Sequence, residues 1–197
     1  GQRHFMLIDM HHIMTDGASM GVFIREYMAL KQGQPLPALS TTYKDFAAWD
    51  LQQAQTPEYR ALSQHWLSRF KDSIPVIQLD TDFPRPAVRD FSGATLHTRL
   101  APELLQQLQQ LGRAQGCSLF VLLMAAFRVL MAKYGAGHDL TIGTPVSGRY
   151  QHQVNDLIGM FVNTLALRDK VDDNETFQQL VARVKAHTLE DFDHKDY

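Results

Sequence analysis

The chain has 197 residues, 45% of them hydrophobic, a length that suggests one domain with a sizeable core. Its formal net charge is −2, and its 19 Lys and Arg residues are scattered instead of forming a basic stripe, which argues against a nucleic-acid partner. The longest apolar run, 119–131, is broken by Arg128 and is shorter than the roughly 20 residues that span a bilayer. It predicts a buried helix, and no membrane partner is expected.

The sequence contains one cysteine, Cys117. A single thiol cannot form a disulfide within the chain, and no Cys-x-x-Cys pair indicates a structural zinc site. The expected location is therefore the reducing cytoplasm. Cys117 precedes an apolar helix, and a buried thiol is favoured there over a nucleophilic one.

The first part of the chain is predicted to contain one strand and three helices. Apolar residues fill 5–10 except for Asp9, as in a short buried strand, and then recur at helical spacing over 17–30. A loop with Gly and Pro follows at 33–37, and further helices are predicted over 42–55 and 57–70. The apolar face of the first helix is predicted to contain Met20, Phe23, Ile24, Tyr27 and Met28.

Helical periodicity lapses over 71–93, where prolines and aspartates accumulate. A connection of this length without regular structure is unusual inside one compact domain but reasonable between two lobes. The sequence therefore predicts an extended connection here, with one part of the chain on each side of it.

The second part of the chain alternates between strands and helices, which predicts an α/β or α+β fold. The predicted elements are a strand over 94–100, a helix over 102–115 with Leu104, Leu105, Leu108 and Leu111 inward, a helix capped by Ser118 and ended by Gly135, strands over 138–147 and 159–168, and a last helix with Phe177, Leu180, Val181 and Val184 on one face.

A polar cluster lies between the first strand and the first helix. Met10-His11-His12-Ile13-Met14-Thr15-Asp16-Gly17 places two imidazoles, a carboxylate and a glycine in one turn. A helix N-terminus exposes unpaired N–H groups and positive dipole charge, both of which suit an anionic oxygen, and histidine is the side chain that exchanges protons near neutral pH. Gly17 lacks a Cβ, so it allows a positive φ or close approach of a substrate. We therefore predict a catalytic turn.

The pattern His11-His12-x-x-x-Asp16-Gly17 resembles the signature of nonribosomal peptide synthetase condensation domains, in the chloramphenicol-acetyltransferase-like superfamily. Residues 43–49 and 158–168 resemble later motifs of that family, in the right order, and 194–197 resembles the opening of a further one. The resemblance implies an internal fragment of less than half a family domain, with a two-lobed fold. In it, 1–75 forms the C-terminal part of the N-lobe and 76–197 the N-terminal part of the C-lobe.

The resemblance also implies a function. A condensation domain forms an amide bond between two acyl groups, each held as a phosphopantetheine thioester on a carrier protein, in nonribosomal peptide biosynthesis. The implied partners are a donor and an acceptor peptidyl carrier domain and an adjacent adenylation domain. The phosphopantetheine arms belong to the carriers, and neither a cofactor nor a metal is expected on the domain itself.

Four positions are candidates for the site. His12 matches the family residue assigned to catalysis, either as general base or as positioner of the amine. His11 is expected to be structural and hydrogen-bonded inside the lobe, because adjacent side chains on an extended backbone point in opposite directions. Gly17 is expected either to donate its backbone N–H to the developing oxyanion or simply to open the helix. Asn163 is a candidate for lining the cleft, because a polar residue in an apolar strand needs a partner.

Asp16 matches a family aspartate with a structural role, pairing with an arginine of the other lobe. The candidate partner is Arg149, within 142–149, which resembles the family's arginine-bearing stretch. Arginine suits a buried bidentate contact with a carboxylate. Aromatic residues at helical spacing are more often core than contact, so the second motif, 43–49, is expected to be scaffold.

Three other interpretations have to explain the same cluster. A metal site built from His11, His12 and Asp16 is disfavoured because adjacent histidines are poorly spaced for zinc. A stand-alone acyltransferase of the same superfamily that esterifies an alcohol shares the core motif, but the downstream motifs disfavour it. An inactive docking module is the third, and such modules often lose the histidine motif that is present here. Whatever the activity, a fragment is expected to expose apolar faces and to aggregate.

Overall fold

The computed structural model describes residues 4–197, and these contain six α-helices, two β-strands and two short 3-10 turns. The helices are α1 (Gly17–Lys31), α2 (Tyr43–Gln53), α3 (Pro57–Arg69), α4 (Pro102–Ala114), α5 (Leu119–Lys133) and α6 (Phe177–Asp193). The strands are β1 (Asp139–Ser147) and β2 (Val162–Lys170), and the 3-10 turns cover His12–Met14 and His152–Val154. The predicted α/β content is confirmed.

Side chains cap three of the helices at their starts, and of these caps the sequence predicted the one at Ser118. Asp16 caps α1, Thr42 forms a capping box with Asp45 at the start of α2, and Ser118 caps α5. In each case a side-chain oxygen accepts a backbone N–H that would otherwise lack a partner in the first turn. Gly135, with a φ of 81°, follows the end of α5, where the left-handed conformation favours glycine.

The strands β1 and β2 form a two-stranded sheet close to the predicted ranges. Hydrogen bonds join Gly148 to Phe161 at one end and Val171 to His138 at the other, so the strands run antiparallel. The predicted strands over 5–10 and 94–100 are wrong, since both segments are irregular. A strand requires a hydrogen-bonded neighbour, and these two segments have none within residues 4–197.

The described residues divide into two compact units. Unit 1 comprises the residues up to Ser68 together with 144–165 and 194–197, and unit 2 comprises 69–143 and 166–193. Both strands therefore contribute residues to both units. The division into lobes at residue 75 concerns the complete family domain and stays a prediction.

One hydrophobic cluster of unit 1 combines residues 154–161 with aromatic side chains of α2. Val154, Leu157 and Phe161 are buried, and Tyr43 and Phe46 of α2 pack against them. The two rings of α2 lie 5.1 and 4.7 Å from the Phe161 ring, centroid to centroid. The second motif is thus part of the packing of this unit.

The core of unit 2 is built around α5, which packs against α4 and α6. Its buried apolar residues include Val121, Leu122, Ala125, Leu140, Leu167, Leu180, Val181 and Val184. Arg128 lies among them with 1% exposure, and its two Nη atoms donate to the carbonyl oxygens of Leu140 and Leu167, each at 2.8 Å. This arginine therefore connects α5 to β1 and β2.

Several apolar faces that the sequence assigned to the interior are exposed. Only Ser19 and Val22 are buried in α1, while Ile24, Tyr27 and Met28 are 40–55% exposed. The leucine face of α4, one side of α5 and Phe177 are also exposed. Helical spacing predicts that a face is apolar but not which element covers it, and no described element covers these faces.

Among the described residues no single helix is long and apolar enough to cross a membrane. The pair α4 and α5 passes a length and composition test only when taken together, and the two helices are bent by 104° relative to each other.

Candidate active site

Asp16 links the histidine turn to α1, and its side chain is the cap of that helix. Its backbone is extended, with φ −121° and ψ 179°, and its carboxylate accepts the backbone N–H of Ser19 at 2.7 Å. The residue is only 4% exposed. The carboxylate thus satisfies a backbone N–H of the first turn and places a negative charge at the positive end of the helix dipole.

Arg149 is the ionic partner of Asp16, as the sequence predicts. The distance from Nη2 to Oδ1 is 3.1 Å, and the two side chains are 6% and 2% exposed. Arg149 Nη1 donates to the carbonyls of Val154 and Leu157 at 2.6 and 2.9 Å, and the guanidinium lies 4.0 Å from the centre of the Phe161 ring. The expected bidentate geometry is wrong: Nη2 is the one guanidinium nitrogen that reaches the carboxylate, because Nη1 binds backbone carbonyls.

The second carboxylate oxygen of Asp16 accepts the backbone N–H of Phe161 at 3.2 Å. Burial by itself raises the pKa of Asp16, but hydrogen bonds from Ser19, Arg149 and Phe161 outweigh it, and the pKa lies below its ordinary value. Asp16 is therefore ionised at neutral pH, and its charge is compensated by Arg149.

Ser19 is a member of the site that the sequence pattern did not identify. Its side chain is fully buried, and its Oγ lies 2.7 Å from Asp16 Oδ1, 2.9 Å from Arg149 Nη2, 2.9 Å from the carbonyl oxygen of Gly159 and 3.1 Å from the nitrogen of Gly159. The sequence signal is a small hydroxyl residue three positions after a helix cap, where it faces the same side as the cap.

The two histidines lie at a 3-10 turn, and both are exposed. The Nδ1 of His11 accepts the backbone N–H of Ile13 at 3.1 Å and so caps the turn that contains His12. His11 is thus hydrogen-bonded, but the expectation that it lies inside the lobe is wrong. Side chains do not alternate between two faces here because His12–Met14 is helical and not extended.

His12 and Gly17 line one cavity of about 340 Å³. Its other lining residues are Ile8, Asp9, Met10, Thr15, Asp16 and Met20. Gly17 does not have a positive φ, and a Cβ built on it would meet no atom within 4 Å. Of the two reasons for a glycine considered from the sequence, the structure therefore supports open space and not backbone conformation.

Asn163 lies at a different cavity of unit 1, of about 620 Å³, which is lined by residues of the second motif and the end of the chain. Its amide nitrogen donates to the carbonyls of Lys195 and Tyr197 at 3.1 and 2.8 Å. The structure therefore does not bring Asn163 to the cavity of His12. This polar side chain instead binds the backbone of the last motif.

Tyr43 of α2 packs against the segment 159–161 and donates a hydrogen bond to it. Its hydroxyl donates to the carbonyl of Met160 at 2.8 Å, and its ring occupies the space where a Cβ on Gly159 would lie. This close approach requires a glycine at position 159. It agrees with the expectation that the second motif is scaffold.

Among residues 4–197 no group of three or more His, Cys, Asp or Glu side chains could hold a metal ion. The cluster of His11, His12 and Asp16 is not such a group, because Asp16 is turned to Ser19 and Arg149.

The chain is similar to several known proteins. The chain is 45% identical over 195 residues to tyrocidine synthase 3 from Brevibacillus parabrevis, covering 99% of this chain and 3% of the synthase. Among solved structures it is similar to the X-domain from teicoplanin biosynthesis, with a TM-score of 0.85 and 27% identity, covering 95% of this chain and 44% of that one. It is also similar to SgcC5 from Streptomyces globisporus, solved in complex with a naphthyl ethanediol and sucrose, with a TM-score of 0.76 and 27% identity, covering 94% and 43% of the two chains.

The chain thus spans less than half the length of these solved chains and a small part of the synthase. A family model of the condensation domain matches residues 1–197, the whole chain. The chain belongs to the condensation domain family.

Proposed function

We propose that the protein carrying this chain forms an amide bond between a carrier-bound aminoacyl or peptidyl thioester donor and a carrier-bound aminoacyl acceptor, in nonribosomal peptide synthesis. The observation that carries this proposal is the shared cavity of His12 and Gly17, set directly before a helix whose cap is buried and ion-paired. Family membership and the similarity to tyrocidine synthase 3 support the reaction type.

The proposed reaction transfers an acyl group from sulfur to nitrogen. The acceptor amine attacks the thioester carbonyl, a C–N bond forms, and the C–S bond of the donor breaks. The amine loses a proton and the donor thiol gains one, so the step needs no redox partner and no ATP. The lengthened chain ends on the acceptor carrier, which keeps its own thioester.

His12 is the proposed catalytic residue. Its imidazole is exposed to the cavity and is not engaged in the hydrogen-bond network of Asp16. It acts either as general base, a contribution of ~10²–10⁴-fold in rate, or by orienting the amine, for which proximity supplies up to ~7–11 kcal/mol of barrier reduction. Asp16, Arg149 and His11 are proposed to hold the turn in shape and not to contact substrate.

Gly17 is the proposed site of oxyanion stabilisation. It is the first residue of α1, where backbone N–H groups and the positive end of the helix dipole face outward, and it lines the same cavity as His12. A developing negative charge on the thioester oxygen is stabilised by such a donor. A bulky side chain at position 17 would fill open space that the donor needs.

The proposed partners are a donor and an acceptor peptidyl carrier domain and an adjacent adenylation domain, and the proposed location is the cytoplasm. The phosphopantetheine arms of the carriers would bring both acyl groups to the cavity. The relatives support this proposal, since one solved neighbour is a four-domain nonribosomal peptide synthetase bound to AMP and glycine, with 26% identity and a TM-score of 0.80.

The test uses the full-length protein with both carriers preloaded, and follows the mass of the acceptor carrier by intact-protein mass spectrometry. We expect an amide-linked product on the acceptor, formed ~10²–10⁴-fold more slowly by His12→Ala if His12 is a general base. A defect well below ~10²-fold would argue against His12 as the general base. The matched control is His97→Ala, an exposed histidine in the irregular part of unit 2, which should retain the wild-type rate.

The similarity to SgcC5 favours a second candidate, acyl transfer to an alcohol, because that structure contains a diol. In the same assay an alcohol acceptor would then replace the amine, and an ester would form in place of the amide. The similarity to the teicoplanin X-domain, which has also been solved in complex with OxyB, favours a docking role without transfer. A folded full-length protein that transfers to neither amine nor alcohol would support that role.

A further inference from the structure

We infer that Ser19 is a positioning residue for the proposed amide-forming reaction and acts through Asp16 on the turn of His12. This role rests on the proposed function. It arises from the position of Ser19 at the meeting point of two segments that are far apart in sequence, the first turn of α1 and the residues 159–161.

The Ser19 hydroxyl has as many hydrogen-bond partners as it can use. A hydroxyl carries one proton and accepts two further hydrogen bonds. Its proton has two possible acceptors, Asp16 Oδ1 at 2.7 Å and the Gly159 carbonyl at 2.9 Å, and it accepts from Arg149 Nη2 and the Gly159 N–H. Because this buried hydroxyl has all of its hydrogen-bonding capacity in use, it holds Asp16, Arg149 and Gly159 in one arrangement.

The turn of His12 depends on this arrangement because it has little other support. None of the residues His12–Met14 is buried, and the backbone hydrogen bonds of the turn, from Met14 to His11 and from Thr15 to His12, stay within it. The first buried residues after it are Thr15 and Asp16. A movement of Asp16 would therefore be passed directly to His12.

The opposite side of the contact is rigid. Gly159 is pressed against the Tyr43 ring, and the Tyr43 hydroxyl holds the Met160 carbonyl. Phe161 is buried, and its N–H binds the second oxygen of Asp16. Ser19 thus connects Asp16, which follows the turn of His12, to the well-packed segment 159–161 of unit 1.

Replacing Ser19 with alanine removes the hydroxyl and leaves the Gly159 N–H, the Gly159 carbonyl and Arg149 each short of a partner. A displacement of about 1 Å in an active site can lower the rate ~10²-fold. We expect kcat to fall about 10–100-fold, with the KM for the loaded carriers unchanged, because carrier recognition does not involve this buried group.

The experiment compares wild type, Ser19→Ala, Ser19→Cys and Ser118→Ala in the full-length protein, by single-turnover and steady-state condensation assays at a temperature where each variant is folded by circular dichroism. Ser19→Cys keeps the side-chain volume but bonds weakly, so it separates hydrogen bonding from packing and serves where Ser19→Ala does not fold. Ser118→Ala removes the cap of α5 in unit 2 and controls for a general loss of stability.

We expect Ser19→Cys to lose kcat nearly as far as Ser19→Ala, while Ser118→Ala keeps it. A Ser19→Cys variant within twofold of wild type, or a loss that appears in KM, would overturn the positioning role and leave the proposed function standing. Absence of amide product with the wild type would overturn both. The two failures are therefore distinguished by the wild-type reaction.

Discussion

A comparison of two buried arginine side chains, Arg149 of unit 1 and Arg128 of unit 2, shows how the surroundings of a charge decide what it does. In unit 1, Arg149 Nη2 lies 3.1 Å from the carboxylate of Asp16, which lines the cavity of His12, and Arg149 Nη1 binds two carbonyls. Arg128 in unit 2 is as well buried, but its two Nη atoms donate to backbone carbonyls. Burial is the largest influence on the pKa of Arg128 and lowers it.

The charge of Arg149 is thus compensated by the carboxylate of Asp16, whereas Arg128 is held by backbone carbonyls of β1 and β2. Removing one member of a buried pair leaves a charge uncompensated, which costs far more than the pair contributes. Removing a buried arginine that binds backbone carbonyls loses two hydrogen bonds but also relieves a desolvation cost. Four substitutions at three positions, in decreasing order of expected loss, test this contrast.

Asp16→Ala should lower the free energy of unfolding of the full-length protein by ~3–5 kcal/mol, because Arg149 is then left buried without its counter-ion. Chemical denaturation measures the loss. In the double variant Asp16→Ala with Arg149→Met much of the loss should be recovered. If Asp16→Ala kept full stability but lost turnover, Asp16 would have a chemical role and the contrast would fail.

Arg128→Met should cost less, about 1–3 kcal/mol, because two buried carbonyls lose their donors while the burial of a charge is relieved. Methionine keeps much of the side-chain length. The measurement is the same denaturation series. A loss as large as that of Asp16→Ala would mean that Arg128 is effectively paired, with Asp169 the first carboxylate to test, since its charge favours the charged form of Arg128.

The acid side of the stability curve should change in Asp16→Asn. The folded-state pKa of Asp16 lies below its ordinary value, so its contribution is present above the unfolded-state pKa of about 4 and is lost as pH falls through the folded value. The variant should lose stability at neutral pH and show a smaller further loss below about pH 4. Asp139→Asn in unit 2 is the comparison, since the pKa of Asp139 is also lowered, chiefly by a hydrogen bond from Arg168, and its replacement should change the acid side in the same direction. Parallel curves for wild type and Asp16→Asn would contradict the assignment.

A still smaller effect is expected for Ser118→Ala, which removes an ordinary helix cap. Loss of such a cap costs about 1 kcal/mol. Asp16 and Ser118 both cap helices, but the ion pair with Arg149 belongs to Asp16 alone. Equal losses at the two positions, measured by thermal denaturation, would show that Asp16 acts as a cap and nothing more.

The sequence predicted the parts of the molecule that depend on local chemistry. Helical periodicity predicted all six helices of residues 4–197, five of them with bounds close to the observed ones, and the family motifs predicted the pair of Asp16 and Arg149. The strands over 5–10 and 94–100 were wrong because a strand is defined by its neighbour, which local sequence does not reveal.

The site itself was predicted only in part, for the same reason. Ser19 was missed because its importance comes from Gly159, far away in the sequence. Asn163 was correctly expected to need a partner, but the sequence could not say that the partner is the backbone of 195 and 197 and not the cavity of His12. Hydrogen bonds between residues far apart in sequence depend on the fold, and the hydrophobic periodicity of the sequence does not predict them.

The close approach of Tyr43 to Gly159 has a consequence for how this family can vary. A relative with any side chain at position 159 would need a smaller residue at position 43, since the ring now fills that space. The two positions lie in different motifs, yet each restricts the substitutions that the other can accept. In a sequence alignment the two positions should covary. A side chain larger than glycine at position 159 is expected only in relatives with a smaller residue at position 43.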